Sequence, residues 1–119
     1  MSAPKIFESE YRFMQILWES EPVNSTQLVA LCKEKLDWSK ATTYTVIRRL
    51  SERGVVVNEN TIVRSLVTRE EVQDTELSEL VEKTFGGSIP QFLAAFTRKA
   101  KLKKEDVEAL KRMIEEYEE

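Results

Sequence analysis

The stretch Trp38-Ser39-Lys40-Ala41-Thr42-Thr43-Tyr44-Thr45-Val46-Ile47-Arg48-Arg49-Leu50 decides how this chain folds. Ser39 is a helix-start residue whose hydroxyl accepts one of the orphan N–H groups of a first turn. Beyond it Thr43, Val46, Ile47 and Leu50 recur at the spacing of one helical face. On a wheel of about 100° per residue the last three lie within about 60° of Thr43. Ala41, Thr45, Arg48, Arg49 and Glu52 fall on the far side, with Thr42 and Tyr44 on the flanks. The spacing predicts a helix from Ser39 to Arg53, stopped by Gly54 in the left-handed conformation. Its apolar face is narrow, and its opposite face is made of threonines and arginines.

Working outward, a shorter helix is expected over Ser25–Lys35, started by Asn24/Ser25 and packed through Leu28, Val29, Cys32 and Leu36. Before it, Phe7, Tyr11, Met14, Leu17 and Trp18 predict an amphipathic helix over Glu8–Glu19, ended by Pro22. Trp18 and Trp38 read as core anchors. After Gly54, the β-branched runs Val55-Val56-Val57 and Thr61-Ile62-Val63 flank a turn at Asn58-Glu59-Asn60, which predicts a hairpin. Helix, turn, helix and hairpin wing is the order that delivers a helix into a DNA major groove.

At 119 residues the chain is one domain, or one domain with an appendage. No apolar run approaches the roughly 20 residues of a membrane span, and the first residues carry no secretory apolar segment. With a single cysteine besides, the expectation is a cytoplasmic protein with no membrane partner. Net charge is −3, which argues against a nucleic-acid partner until it is divided along the chain. Residues 1–66 carry nine basic and eight acidic side chains, and residues 67–119 carry nine and thirteen. Segment 39–53 holds Lys40, Arg48, Arg49 and Arg53 against Glu52 alone. Screening limits exposed charges to about 8–10 Å in physiological salt, so a basic helix on a mildly acidic protein still attracts phosphate.

A composition change at Val67-Thr68-Arg69-Glu70-Glu71 sets the expected boundary: a winged-helix domain over 1–67 and a helical region over 68–119. Thr68 and Glu71 form a capping-box pair. A helix is predicted from there to Phe85, a break at Gly86-Gly87, a second helix over Pro90–Lys99 and a third over Lys103–Glu116. These three helices have broad apolar faces and too little chain to close a core alone, so a second copy is expected to close it. The dimer core is expected from Leu77, Leu80, Val81, Phe85, Phe92, Leu93, Phe96, Val107, Leu110, Ile114 and Tyr117. The fold class is mainly α: a winged helix-turn-helix followed by a three-helix C-terminal dimerisation region.

The run Trp38-Ser39, Thr42, Thr45, Ile47, Arg49-Leu50 and Gly54 resembles the recognition helix of the penicillinase-repressor family (BlaI/MecI/CopY type). Three further stretches resemble it: Glu10 to Leu17-Trp18, Leu66 to Glu71, and Phe85-Gly86-Gly87-Ser88 with the apolar helix behind it. The resemblance implies a homodimeric repressor on a double-stranded DNA operator dyad, with an upstream sensor or protease as a further partner. The chain departs from the pattern in three places. The copper-responsive branch carries a C-terminal Cys-x-Cys, whereas this chain has only Cys32 and no histidine, so thiolate or imidazole metal sensing is not expected. The β-lactam-responsive branch is cleaved at an Asn-Phe bond, and the counterpart here is Ala95-Phe96. The wing tip carries Glu59, a poor phosphate ligand.

The expected DNA-binding residues are Ser39, Lys40, Ala41, Thr42, Tyr44, Thr45, Arg48, Arg49 and Arg64. Short side chains at Ala41, Thr42 and Thr45 let the helix backbone approach the bases, and Arg48 can read guanine or hold a phosphate. Arg49 has a second reading, as the partner of an acid on the first helix. Cys32 reads as a small core residue. The basic run Arg98 to Lys104 reads as a solvated helix start or as a DNA-binding patch. Without histidine, paired cysteines, a glycine-rich phosphate loop or a nucleophile–base pair, no catalytic site, metal or cofactor is expected. The negative charge leaves a second function open, a winged-helix protein–protein module that uses the same helix without DNA.

Overall fold

The computed structural model describes residues 4–118. The first helix, α1 (Glu8–Ser20), starts where the Glu10 carboxylate turns back to accept the Phe7 N–H at 2.9 Å. A two-residue strand, β1 (Val23–Asn24), leads directly into α2 (Ser25–Leu36). Asn24 caps α2 by accepting the Thr26 N–H at 2.8 Å. The helix stops at Asp37, which adopts φ 56°, while Trp38 N–H reaches back to the Cys32 carbonyl. The next helix, α3 (Lys40–Glu52), follows with Ser39 as its cap, and Gly54 ends it at φ 75°. Strands β2 (Val56–Glu59) and β3 (Ile62–Ser65) form the hairpin. Sheet order is β1-β3-β2, all antiparallel, with Val23 opposite Val63, Val56 opposite Ser65 and Glu59 opposite Ile62. Three helices complete the described chain: α4 (Arg69–Phe85), α5 (Ile89–Lys99) and α6 (Lys104–Glu115).

The core lies under α3. Phe13, Met14 and Leu17 of α1, Leu28 and Cys32 of α2, and Thr43, Ile47 and Leu50 of α3 are buried with Val55, Val56 and Val63 of the hairpin segment. Each fully buried large side chain of this kind contributes about 1.5–3 kcal/mol. The buried stripe of α3 is the expected one, Thr43, Val46, Ile47 and Leu50. Trp38 stacks on Phe13 with ring centroids 6.2 Å apart and planes 5° from parallel, which pins the α2–α3 turn to α1.

The structure corrects three expectations. The buried face of α1 is Phe13, Met14, Ile16 and Leu17, not a stripe through Phe7, Tyr11 and Trp18. Phe7 stands before the helix in extended conformation, 52% exposed, with the Lys5 and Arg53 cations over its ring. Tyr11 and Trp18 meet edge to face at the rim of the core, where the Trp18 N–H reaches the Val67 carbonyl at 3.0 Å. Tyrosine and tryptophan favour such rims because each carries a polar group that needs a partner.

The hairpin turn is Asn60-Thr61, not Asn58-Glu59-Asn60. Both turn residues have positive φ (52° and 65°), as a two-residue loop matched to strand twist demands. Glu59 lies within β2. The third correction is β1 itself, which sequence periodicity cannot show in two residues.

The chain divides into two compact units, one ending at Leu77 and one beginning at Ser78, within α4. In the second unit Phe92 packs on Phe85 and Phe96, with centroids 5.6 and 6.3 Å away. Neither α5 nor α6 has a buried residue. No described helix is long and apolar enough to cross a membrane.

Candidate nucleic-acid interface

The start of α3 is held by one side chain. Ser39 Oγ accepts the Thr42 N–H at 3.1 Å and donates to Thr42 Oγ1 at 2.9 Å. Thr43 donates its hydroxyl to the Ser39 carbonyl at 3.1 Å and lies wholly inside. With Thr43 locked in, helical geometry turns the other residues out. Ser39, Lys40, Ala41, Thr42, Arg48 and Arg49 are exposed, and Thr45 is half-buried. No bulky side chain stands between Ala41, Thr42 or Thr45 and an approaching surface, so the α3 backbone can come close to base edges.

The cations on this face differ in freedom. Arg48 Nη1 lies 3.3 Å from Glu52 Oε1, one turn along the same face, and both side chains are mostly exposed. Such a pair contributes little in water and is readily exchanged for phosphate. Among the described residues Arg49 forms no ion pair. The acid of α1 is taken instead by Arg53, one turn further on, whose Nη2 lies 2.5 Å from Glu10 Oε1. Arg49 is thus left at the surface, and its reading as the partner of an α1 acid fails. Tyr44 is half-buried and donates its hydroxyl to Ser25 Oγ at 3.3 Å, so it braces α3 against the start of α2. Arg64 is exposed on β3 opposite Val57.

Sequence reasoning missed the coupling of wing to helices. The Ser25 N–H donates to the Thr61 carbonyl at 2.7 Å, and Asn24 Nδ2 donates to Thr61 Oγ1 at 3.3 Å. Glu21 accepts the Ser65 N–H at 2.6 Å and the Ser65 hydroxyl at 2.7–2.8 Å at the other end of the hairpin. Wing, α2 and α3 are therefore fixed to one another by polar contacts as well as by the core. The Asn24 cap was legible, but nothing in the sequence pairs it with Thr61.

Cys32 is buried beside Thr43. Burial pushes its thiol up to about 11, opposed in part by the hydrogen bond to Thr43. No group of three or more His, Cys, Asp or Glu that could hold a metal occurs among the described residues.

A capped helix with a polar, partly cationic outer face, backed by a second helix and followed by a two-stranded wing, defines a winged-helix protein. The model of the penicillinase repressor family matches residues 6–116, and the chain belongs to that family of transcriptional repressors. It is 24% identical over 114 residues to the methicillin resistance regulatory protein MecI of Staphylococcus aureus (strain Mu50 / ATCC 700699), covering 92% of this chain and 93% of that protein. It is 21% identical over 119 residues to the penicillinase repressor of Bacillus licheniformis, covering 96% and 92%. An uncharacterised 16.5 kDa protein of Latilactobacillus sakei is 30% identical over 92% of this chain and 78% of its own length. In fold, the chain is similar to the solution structure of monomeric Bacillus licheniformis BlaI in complex with the blaP half-operator. The TM-score is 0.52 at 20% identity, over 60% of this chain and 93% of that one.

Proposed function

We propose that this protein is a sequence-specific DNA-binding transcriptional repressor that acts as a homodimer on an operator dyad. The observation that carries the reading is the outer face of α3, where Lys40, Ala41, Thr42, Arg48 and Arg49 stand exposed on a helix whose other face is fixed in the core. Ser39, Lys40, Thr42 and Arg64 are assigned to phosphates, Ala41 and Thr45 to close approach, and Arg48 and Arg49 to base edges or phosphates. Tyr44 is assigned to the rim of the contact, with its hydroxyl held by Ser25.

Dimerisation is supported by apolar surface on the C-terminal helices. Leu77, Leu80, Phe96, Ile114 and Tyr117 are exposed large hydrophobics, and Phe85, Phe92, Leu93, Val107 and Leu110 are only half-buried. Val81 is buried within the chain. A second copy of this chain is the occupant we assign to this surface, as the resemblance to penicillinase repressors implies. An upstream sensor or protease remains part of the reading through the same relationship, with Ala95-Phe96 inside α5.

The test is selection of genomic fragments by the purified protein, then a salt titration on the best site with sedimentation in parallel. A dimer on a two-fold site, with affinity falling steeply as salt rises, is expected. Binding that ignores salt, or selection that enriches no site, returns the fold to the protein–protein reading.

A further inference from the structure

We infer that the junction between α5 and α6 is a second phosphate-backbone contact for duplex DNA. The inference rests on the DNA-binding reading above. Arg98 and Lys99 end α5, Lys101 and Lys103 lie in the connecting stretch, and Lys104 begins α6. All five side chains are exposed, and none forms an ion pair among the described residues. Outside this stretch the chain carries thirteen basic and twenty-one acidic residues, so the junction is a sharp local reversal of charge.

Helix stability explains only part of the cluster. Arg98 and Lys99 sit at a helix C-terminus, where cations are favoured, but Lys103 and Lys104 sit at a helix N-terminus, where they are opposed. Glu105 and Asp106 already supply the negative charge that this end wants. The two lysines therefore weaken α6, and an anionic partner is what would offset that.

Both ends of the connecting stretch are extended, Ala100 at φ −90°, ψ 141° and Lys103 at φ −73°, ψ 153°. Burial alternates along it: Ala100 and Leu102 are half-buried, Lys101 and Lys103 exposed. The two ammonium groups thus leave the same side of the chain, from positions about 6–7 Å apart. Compact charges on flexible stems suit a phosphate row, where charge matters more than planar geometry. A membrane surface fits less well, because the two apolar residues between the cations turn inward and leave no anchor to insert. The α3 face has need of such help. It offers Lys40, Arg48 and Arg49, and Arg48 is shared with Glu52.

The experiment compares the full chain with the variant R98Q/K99Q/K101Q/K103Q/K104Q and with a charge-keeping variant (R98K, with the four lysines changed to arginine). The duplex carries the selected site with long flanks. On the long duplex the neutral variant is expected to lose up to about 4.5 from the slope of log Kd against log salt per protomer, since each of five phosphate contacts contributes about 0.9. Its affinity near physiological salt should fall more than tenfold, with site preference kept. The charge-keeping variant should match the parent.

An unchanged slope on the long duplex overturns the second surface and leaves the α3 reading intact. So does a neutral variant that sediments as monomer, or one whose only loss is binding to anionic phosphatidylserine vesicles. A parent protein that shows no salt-dependent duplex binding overturns both readings together.

Discussion

Arg53, at the end of α3, and Glu10, in the first turn of α1, form an ion pair with Nη2 and Oε1 2.5 Å apart. Glu10 also accepts the Phe7 N–H, and the Arg53 guanidinium lies over the Phe7 ring, 5.3 Å from its centroid. One carboxylate therefore ties the end of α3 to the start of α1. The Glu10 side chain is 8% exposed and that of Arg53 31%, and Arg53 Nε has no hydrogen-bond partner among the described residues. Losing one partner of a fully buried pair costs about 3–5 kcal/mol, and partial solvent access to Arg53 reduces this. Glu10→Gln is expected to lower the unfolding free energy by about 2 kcal/mol. In the double variant with Arg53→Met the loss should be smaller than the sum of the single losses. Urea unfolding of the four proteins measures it, and a Glu10→Gln protein as stable as the parent would show that the pair holds nothing together.

Arg48 and Glu52 make an exposed pair on the face assigned to DNA. On the proposed reading, DNA must displace Glu52 from this guanidinium. Arg48→Ala is expected to weaken binding to the best site by about 1–3 kcal/mol and to relax preference at one base position. Glu52→Gln should act in the opposite direction, tightening binding and steepening its salt dependence. Stability should scarcely move in either, because exposed pairs contribute about 0–1 kcal/mol. Competition binding against duplexes altered one base pair at a time reads both effects. Equal loss at every position would move Arg48 from a base to a phosphate.

Thr61 occupies the second place of the wing turn with φ 65°, a region a β-branched residue rarely enters. The conformation costs about 1–3 kcal/mol. Two contacts to α2 hold it there, the Ser25 N–H to its carbonyl and Asn24 Nδ2 to its hydroxyl. Thr61→Gly keeps the first and relieves the strain, at the cost of the second and of chain entropy. Because the strain is the largest of these terms, a gain of about 0.5–1 kcal/mol is expected. Thermal unfolding checks the sign. A lower Tm would mean that the Asn24–Thr61 contact outweighs the strain.

These three sites divide what sequence shows from what it hides. Ser39, the stripe Thr43-Val46-Ile47-Leu50 and the stop at Gly54 were legible because each depends on neighbours within a few residues. The choice between Arg49 and Arg53 as partner of an α1 acid was not. The two lie one turn apart on α3, and only the placement of α1 selects between them. The wing turn was misplaced because Asn58-Glu59-Asn60 has better turn composition than Asn60-Thr61. The strand register, set by Val56 opposite Ser65, overrides composition. On α1, aromatic residues at the rim outweighed Phe13 in the count of apolar spacing, although Phe13 is the one wholly buried. The outward residues of α3 were legible as a face, since a stripe that must be buried fixes what is left outside.

Cys32 gives a prediction in pH. Its thiol is raised to about 11 by burial, against 9.0 for the free group. In the unfolded chain the thiol loses its proton near 9, whereas in the folded protein it keeps it until about 11. Between these values the unfolded state binds fewer protons, so stability falls as pH rises. The contribution is whole below pH 9 and is lost on the way to pH 11. The quantity to measure is the difference between the parent and Cys32→Ala. The parent should lose more stability than the variant between pH 8.5 and pH 10.5, values on either side of the unfolded thiol's transition (~9). The same burial makes the thiolate scarce at neutral pH, so a disulfide reagent should modify Cys32 no faster than the protein opens. Urea below the unfolding midpoint should speed the reaction as the unfolded fraction grows. Rapid modification without denaturant at pH 8 would place the thiol at the surface and return redox sensing to consideration.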